Sequence, residues 1–378
     1  MHHEAASFDT VENDAALWHE RLERTGDIVC LAGIAPWKRA RLRKMFRNNH
    51  GPLFRNGART AVSVAKRHGG GIACWASRVP DGLVAVAEGS GVPLWWIEDG
   101  FIRSAGLGAA LVPPASLTLD RRCPHYDPAQ PSDLEHMLQT IDFAPGMLAR
   151  ADRLIALLRQ SSVTKYNLGG VPVSLPENRR IVLVPGQVED DRSVLLGGAG
   201  IADMAALLAR VRAAEPDAVI LYKPHPDVVS GLRGGSLSDA EALRFADRIV
   251  ADADLAPLLD RVDAVHTLTS LTGFEALIRG RAVVVHGQPF YAGWGLTRDL
   301  APLERRSRPR SLAELVAAAL IVYPLYADPE TGLPCTPEHL VARLVDMRGD
   351  RARELPPLQA FAARFAAWHA ARRNRQAR

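Results

Sequence analysis

The chain has 378 residues, of which 47% are hydrophobic and 23% are charged, and its formal net charge is +4. This length and composition predict two soluble globular domains, each with its own core. The four cysteines form no CxxC pair, which argues against a zinc site and a disulfide framework. The polar N-terminus is not a secretory signal, and no apolar run could span a bilayer, so we expect a cytoplasmic protein.

The first part of the chain alternates between strand-like and helix-like patterns, which is typical of α/β proteins. Buried strands are predicted at residues 27–34, 71–76, 84–88 and 92–97. A basic helical segment is predicted at 36–49, and residues 127–160 are predicted to be mostly helical. Ser132 and Glu135 have the spacing of a capping box. Residues 160–178 are predicted to be a linker.

A second α/β series follows the linker. Its predicted elements are strand 180–184, helix 201–214, strand 218–223, helix 238–245, strand 249–250 and helix 255–261. A strand–helix–strand unit completes the series at 263–295. Two doubly wound halves are the simplest architecture, and ligands of such sheets bind beyond the carboxyl ends of the strands.

The unit at 263–295 contains the most informative stretch of the chain. A short strand ends in the polar turn 266–270, and a helix follows at once. Thr272 and Glu275 have capping-box spacing, and residues 282–285 are predicted to be a buried parallel strand. Free N–H groups at such a helix start favour an anion, typically a phosphate. An ordinary, well-capped helix is the alternative.

The tail is predicted to be helical, with helices at 312–322, 338–347 and 358–372. The last helix is amphipathic and ends in several arginines. Such a helix can lie on an anionic membrane surface, or it can dock on the protein with a solvated basic end. Both interpretations stay open.

Two acids and a glycine, Glu98, Asp99 and Gly100, directly follow the apolar run at 92–97. Enzymes with α/β sheets place reactive carboxylates at this end of a strand. Gly100 is expected to allow a sharp turn, and Arg103 to pair with one acid and lower its pKa. The alternative is a turn with solvated acids.

Two further motifs follow strands of the second series. Gln187 precedes three acids that end in Asp191, although a solvated loop would have the same composition. His225 stands between Pro224 and Pro226, which fix the backbone around it, and Lys223 adds positive charge. An imidazole held in this way can donate a hydrogen bond to a phosphate or protonate a leaving oxygen. A purely structural histidine is the alternative.

Other patterns are less informative. The aromatic residues of segment 287–295 suit either stacking on a base or sugar, or packing between domains. Asp252 and Asp254 resemble a metal-binding DxD, but they precede a predicted helix as capping acids. The glycines at 198 and 200 do not follow a strand, so they are a weak dinucleotide fingerprint. No basic-aromatic ladder suggests nucleic acid.

The ordered combination of these motifs resembles the capsule-synthesis family of bacterial β-Kdo glycosyltransferases, the KpsC type. The stretches that carry the resemblance are EDGFIRSAGLGA at 98–109, PPASLTLDRRCPHYD at 113–127, PGQVEDDRS at 185–193, YKPHPDVVSGLR at 222–233, HTLTSLTGFEALIRGRAVVVHGQPFYAGWGLTRD at 266–299 and YPLYADPETGLPC at 323–335.

The resemblance implies a GT-B-like α/β fold, in which two Rossmann-like domains face a central cleft. The expected units are an acceptor or catalytic domain at 1–160, a CMP-sugar-binding domain at 161–310, and a helical segment at 311–378 that packs back across them. The implied reaction transfers Kdo from CMP-Kdo to a Kdo-containing, lipid-linked acceptor of the capsule linker, with retention of anomeric configuration. Family members commonly carry two such modules in tandem, and this chain has room for one. Three interpretations stay open: the chain forms a single linkage, it is one module of a longer protein, or it acts with a separate partner, a second Kdo transferase of the capsule system.

The resemblance also implies roles for individual residues. Retention suggests two displacements through a covalent carboxylate adduct, with Asp99 as the first choice of nucleophile and Glu98 as the second. Asp191 is expected to position the acceptor or to act in acid–base chemistry, and His225 with Lys223 to stabilise the departing phosphate. The remaining expected substrate-binding residues are Gly100, Arg103, Gln187, Pro226, Thr269, Ser270, Leu271, Thr272, Gly273 and, on the cytidine ribose, Glu275. A monophosphate leaving group needs no metal clamp, so we expect no cofactor and no obligatory metal.

Two other functions stay open. The chain would also suit a non-catalytic component of a capsule assembly complex that binds a nucleotide sugar or a lipid. A related transferase that uses CMP-sialic acid or CDP-glycerol is the third interpretation. A lipid-linked acceptor would bring the protein to the inner face of the cytoplasmic membrane.

Overall fold

A computed structural model describes residues 8–47, 51–104, 106–107, 111–201, 203–235 and 237–351. Its strands are β1 Ile28–Ala32, β2 Leu53–Arg55, β3 Gly71–Trp75, β4 Leu94–Asp99, β5 Ser116–Asp120, β6 Ile181–Pro185, β7 Val219–Lys223, β8 Arg248–Ile249, β9 Ala264–Thr267, β10 Ala282–Val285, β11 Arg298–Asp299 and β12 Pro324–Tyr326. The helix predicted at 358–372 lies outside the described residues.

The α-helices alternate with these strands through most of the chain. They are α1 Phe8–Thr25, α2 Arg39–Met45, α3 Ala58–His68, α4 Leu83–Glu88, α5 Asp133–Thr140, α6 Pro145–Ser161, α7 Arg192–Gly197, α8 Met204–Ala214, α9 Pro226–Val229, α10 Asp239–Ala242, α11 Leu255–Leu259, α12 Leu271–Ile278, α13 Leu312–Val316 and α14 Pro337–Arg351. Helix α13 continues as a π-helix over Ala317–Val322.

The first sheet has the order β12-β5-β4-β3-β1-β2. Strands β2, β1, β3 and β4 are parallel, whereas β5 is antiparallel to β4 and β12 is antiparallel to β5. Strands β1, β3 and β5 are buried at every residue, as expected where both faces of a sheet are covered. Strand order reverses between β1 and β3, so the crevice beyond their carboxyl ends is where a ligand is expected.

The second sheet has the order β11-β10-β9-β6-β7-β8, and all its strands are parallel. Its strand order reverses between β6 and β9. The segments that follow these two strands are therefore expected to border a ligand crevice of their own. The predicted architecture of two doubly wound halves is confirmed.

One hydrophobic cluster joins the two halves. It contains Phe101 from the first half, Phe274 and Phe290 from the second, and Leu315 and Leu320 from the segment after the second sheet. The rings of Phe101 and Phe290 stack with their centroids 4.3 Å apart. The halves therefore share a core beside the edge where their strands end.

Several predicted elements are corrected by the structure. Residues 84–88 belong to helix α4 and not to a strand, because Leu83 and Ala87 lie one turn apart and both face the core. Ser132 does cap α5, but the Glu135 carboxylate pairs with Arg305 and Arg306 and does not complete a capping box.

The capping box predicted for α12 is also wrong. Ser270 is the N-cap, and its hydroxyl accepts a hydrogen bond from the N–H of Thr272. The Glu275 carboxylate instead accepts the backbone N–H of Lys165 at 2.8 Å. The helix is thus capped two residues earlier than predicted, and the Glu275 carboxylate binds the linker instead of the helix start.

Candidate active site

The carboxyl ends of both sheets border one cleft of about 940 Å³, which is large enough for a small-molecule substrate. The first half contributes Lys38, Glu98, Asp99 and Arg103, among others. The second half contributes Gln187, Asp191, Lys223, His225, Pro226, Thr269, Ser270, Leu271, Thr272 and Glu275. The structure therefore brings together at one site all the predicted residues except Gly100 and Gly273, which do not line the cleft.

Asp99 is the last residue of β4 and lies between two cations. Lys38 Nζ donates to Oδ1 at 3.1 Å, and Arg103 Nε donates to Oδ2 at 2.7 Å. Burial alone would raise the pKa of Asp99, but Lys38 and Arg103 outweigh it and hold the pKa well below its usual range. Asp99 is therefore an ionised carboxylate facing the cleft, as the predicted pairing with Arg103 requires.

Lys38 was missed by the sequence analysis. It follows β1 in the 3₁₀ turn Pro36–Lys38, and its ammonium lies 3.2 Å from the centroid of the Trp75 ring. Burial lowers the pKa of Lys38, and this cation–π contact stabilises its charged form. The position of Lys38 beyond a strand's carboxyl end is the signal that could have identified it.

Glu98 has a different environment from its neighbour. Its Oε1 accepts the backbone N–H of Ser77 at 2.7 Å. Burial raises the pKa of Glu98 to about 7, and the negative charge of Asp99 acts in the same direction. Glu98 is thus poised to titrate near neutral pH.

His225 is the N-cap of α9. Its Nδ1 accepts the N–H of Asp227 at 3.1 Å, so the neutral imidazole carries its proton on Nε2. Burial, helped by the nearby charge of Lys165, lowers the pKa of His225 to about 4, so the ring is neutral at physiological pH. The side chain can therefore donate a hydrogen bond to a ligand oxygen, but it adds no charge.

Lys223 borders the same cleft, yet its ammonium is already engaged. It donates to the carbonyls of Ala251 at 2.9 Å and Ala253 at 2.7 Å. These bonds tie the end of β7 to the segment before α11. The structure therefore gives Lys223 a local structural contact, and its predicted contact with phosphate stays a prediction.

Gln187 holds the hydroxyl-rich turn between β9 and α12. Its Oε1 accepts the N–H groups of Thr269 and Ser270 at 3.0 and 3.1 Å and the Thr267 hydroxyl at 3.2 Å. Its Nε2 donates to Thr269 Oγ1 at 2.8 Å. Gln187 therefore positions the turn through a set of bonds that engages its whole amide group.

Asp191 caps α7, because its Oδ1 accepts the N–H of Ser193 at 3.0 Å. Its other oxygen lies 3.4 Å from Arg233, which also pairs with Asp190. Arg233 was not predicted as a site residue. Asp191 is half-buried and faces the cleft, where its proposed role with the acceptor stays a prediction.

The two predicted glycines pack against protein and explain why no side chain fits there. A Cβ on Gly273 would lie 2.3 Å from the hydroxyl of Tyr291. A Cβ on Gly100 would lie 2.2 Å from Ser116 Oγ on the neighbouring strand. The expected sharp turn is not the reason for Gly100, because its φ is not positive, and close approach to β5 is.

The predicted linker supplies two cleft residues that the sequence analysis missed, Lys165 and Tyr166. His125 and Tyr126, from the segment after β5, were also missed. Both line the cleft, and the buried His125 Nδ1 and Tyr126 hydroxyl have no hydrogen-bond partner among the residues that the structure describes. Burial lowers the pKa of His125 to about 3, so this ring is also neutral.

The described residues contain no group of three or more His, Cys, Asp or Glu side chains placed to hold a metal ion. Asp254 caps α11, as expected of the DxD-like pair. The glycines at 198 and 200 lie in the turn after α7 and not after a strand. None of the described helices is both long and apolar enough to cross a membrane.

The family model for capsule polysaccharide biosynthesis proteins matches residues 71–170 and 159–327. The chain belongs to this family. The predicted resemblance to KpsC-type capsule proteins is thereby confirmed.

Two solved relatives share the GT-B-like fold over nearly their whole length. The KpsC β-Kdo 2,7 transferase of Thermosulfurimonas dismutans is 33% identical, with a TM-score of 0.69 over 85% of this chain and 99% of that one. The β-Kdo 2,4 transferase of the same KpsC is 30% identical, with a TM-score of 0.71 over 84% and 98%. The GT-B-like fold of this family member is thus confirmed.

Two curated relatives differ in length from the chain. The capsule polysaccharide modification protein LipA of Neisseria meningitidis serogroup B is 42% identical over 326 residues, which are 86% of this chain and 46% of LipA. The lipopolysaccharide-processing protein LpsZ of Rhizobium meliloti is 37% identical over 351 residues, 90% of this chain and 80% of LpsZ. The chain therefore spans about half the length of LipA.

Proposed function

We propose that this family member is a glycosyltransferase that moves Kdo from CMP-Kdo to a Kdo-containing, lipid-linked acceptor in capsule linker synthesis. Support comes from its similarity to two solved domains that are themselves named β-Kdo transferases. Further support comes from the cleft, which combines a carboxylate pair on one wall with a histidine and a hydroxyl-rich turn on the other.

Asp99 carries the proposal, because it is the residue whose surroundings suit a nucleophile. In the proposed first step, an oxygen of Asp99 forms a bond to the anomeric carbon of Kdo, and the bond from that carbon to the phosphate oxygen breaks. The electron pair leaves with CMP. Lys38 and Arg103 keep Asp99 ionised and fix both of its oxygens in the half-buried site.

The second step replaces the aspartyl ester with the acceptor. An acceptor hydroxyl attacks the anomeric carbon, its proton passes to a base, and the bond to Asp99 breaks. Two displacements on one carbon retain its configuration. Asp191 is our candidate for the base, since it faces the same cleft as Asp99.

His225 is proposed to receive the departing phosphate. The proton on Nε2 can be donated to a phosphate oxygen because Nδ1 is occupied by the N–H of Asp227. The first turn of α12 adds the positive end of a helix dipole. Glu275 is assigned to the cytidine ribose from the family resemblance alone.

Glu98 is the second candidate for nucleophile. Its pKa of about 7 leaves a fraction of the side chain protonated at neutral pH, whereas Asp99 stays charged. A protonated carboxyl group is a poor nucleophile. This difference favours Asp99.

The test is incubation with CMP-Kdo and a synthetic Kdo-lipid acceptor, followed by NMR of the product. Transfer with a β-linkage is expected for the wild type, and intact-mass analysis without acceptor should detect a Kdo adduct. Asp99→Asn should lower turnover by about 10⁴-fold or more and abolish the adduct. Glu98→Gln, the matched control, should retain the adduct.

An inverted linkage, or an adduct that survives in Asp99→Asn, would contradict the proposed mechanism. Activity with CMP-sialic acid or CDP-glycerol in place of CMP-Kdo would favour a related transferase, and binding without any transfer would favour a non-catalytic component. Transfer should persist in EDTA, because no metal takes part in the proposed steps. A cytoplasmic location at the inner membrane face and a partner transferase are parts of the proposal that follow from the resemblance.

A further inference from the structure

The segment at 164–167 connects the two walls of the cleft. The backbone N–H of Lys165 donates to Glu275 Oε1 on α12 at 2.8 Å, and its carbonyl accepts the N–H of Ser104 at 3.4 Å. Asn167 Nδ2 donates to the carbonyl of Ser104 at 3.0 Å. The main chain of Lys165 is therefore held from both halves, which fixes where its side chain begins.

The ammonium of Lys165 faces the cleft without an anionic partner. Among the described residues, no carboxylate lies within ion-pair distance of Nζ, and the centroid of the Tyr166 ring is 5.2 Å away. The side chain is half-buried. A half-buried charge without a partner is costly, so it is usually kept for a ligand.

The other shielded cations of the cleft are already engaged. Lys38 and Arg103 pair with Asp99, Arg233 pairs with Asp190 and Asp191, and Lys223 donates to two carbonyls. Arg78 and Arg192 also line the cleft but are exposed. Within the described part of the chain, Lys165 is therefore the shielded cation that remains available to an incoming anion.

Lys165 is charged at neutral pH. Burial alone would lower its pKa, but Tyr166, Asp99 and Asp191 together outweigh burial and raise it. Its positive charge in turn lowers the pKa of both Asp99 and His225. Lys165 thus lies within electrostatic reach of the proposed nucleophile and of the proposed phosphate ligand.

We infer that Lys165 binds an oxyanion attached at or beside the reacting carbon of the donor sugar. The inference rests on the proposed function. In CMP-Kdo, the anomeric carbon carries both the sugar carboxylate and the phosphate, and Asp99 brings a third negative charge to the same carbon. His225 is neutral and the charges of Lys38 and Arg103 are taken by Asp99, so Lys165 supplies the positive charge that this crowding of anions requires.

The test compares Lys165→Met, which removes the charge, with Lys165→Arg, which keeps it. Lys66→Met, at an exposed lysine of α3, is the matched control. Lys165→Met should lower kcat/KM for CMP-Kdo by about 100-fold or more, whereas Lys165→Arg should stay within about tenfold of wild type. Lys66→Met should behave as wild type, and Tm should not fall in any of the three, because within the described part of the chain Lys165 is held by hydrogen bonds of its backbone and not of its side chain.

Calorimetry with CMP alone separates the two sources of the oxyanion. If Lys165→Met loses about tenfold or more in CMP affinity, the phosphate is the ligand; if CMP affinity is kept while kcat/KM falls, the sugar carboxylate is. Wild-type kcat/KM in Lys165→Met would overturn the inference, as would an equal loss in Lys165→Arg accompanied by a lower Tm in both variants.

Failure of the proposed function gives a different result, namely no Kdo transfer by the wild type. The CMP affinity of Lys165→Met, measured by calorimetry, then tests the inference by itself. A loss of CMP affinity in Lys165→Met would still support an oxyanion site at Lys165, and unchanged affinity would overturn it.

Discussion

Glu98 and Asp99 are adjacent in the chain, but their carboxyl groups meet different partners. Successive side chains of a strand point to opposite faces, which brings Asp99 to Lys38 and Arg103, and Glu98 to the backbone of Ser77. Two cations lower the pKa of Asp99, whereas burial raises the pKa of Glu98 by more than the hydrogen bonds from Ser77 lower it. One strand end thus presents a permanent charge beside a group that titrates near neutrality.

This difference predicts how stability depends on pH. The pKa of Glu98 is about 7 in the folded protein and its ordinary value is 4.5, so between these values the folded state binds more protons than the unfolded state. Stability therefore falls as pH rises from 4.5 through 7. Glu98→Gln removes this effect and should raise Tm at pH 8 by roughly 2–4 °C relative to wild type, with little difference at pH 4.

Differential scanning calorimetry at both pH values is the measurement. Glu88→Gln, at an exposed glutamate of α4, should match wild type throughout. A Glu98→Gln protein that is less stable than wild type at pH 8 would show that the ionised carboxylate is the stabilising form.

At the scale of elements, the turn between β9 and α12 depends on a residue that follows another strand. Gln187, just beyond β6, satisfies the N–H groups of Thr269 and Ser270 and binds the hydroxyls of Thr267 and Thr269. The conformation of the turn therefore depends on the segment after β6 as well as on the turn's own residues.

Gln187→Ala should therefore disturb the turn that borders the cleft. Loss of these bonds is expected to lower kcat/KM by about 10–100-fold and to lower Tm, because the part-buried N–H of Thr269 loses its partner and the N–H of Ser270 keeps only the Thr267 hydroxyl. Gln160→Ala, on the exposed face of α6, is the control and should change neither quantity. Wild-type turnover in Gln187→Ala would mean that the turn keeps its shape unaided.

The elements that could be predicted from sequence are those with continuous apolar runs. Strands β1, β3, β6, β7, β9 and β10 were all predicted, because parallel strands buried on both faces have this pattern. Helix α4 was mistaken for a strand, since a short apolar run fits either structure. Strands β5 and β12 were missed because their pairing joins residues 116–120 to 324–326, a contact that no local pattern records.

Local sequence patterns also identified only part of the site. Asp99, Gln187 and His225 follow strands within recognisable motifs, and the structure brings them to one cleft. Lys38 and Lys165 lie in a basic segment and a linker, where a lysine has no distinguishing neighbours. Only the fold shows that these two cations border the same cleft as Asp99.

At the scale of the whole molecule, the segment after the second sheet returns to the first. Strand β12 pairs with β5, and Arg21 and Arg24 of α1 donate to backbone carbonyls between residues 322 and 326. Residues 315–320 are at most 1% exposed. The segment therefore pairs with β5 at the edge of the first sheet and covers part of the shared core.

A chain that ends at residue 310 should consequently be insoluble. It exposes β5 as an unpaired edge and uncovers the apolar face of α6 on which residues 312–322 pack, and both changes promote aggregation. A chain that ends at residue 351 keeps every described contact and is the control. Soluble monomer from the shorter chain, measured by size-exclusion chromatography with light scattering, would contradict this expectation.

The position of β12 also has a consequence for synthesis on the ribosome. Domains generally fold in the order in which they emerge, amino-terminal first. Here one of the two edge strands of the first sheet is residues 324–326, and the whole second sheet is translated before it. The first sheet of the nascent chain therefore lacks β12 until the second sheet has emerged from the ribosomal exit tunnel.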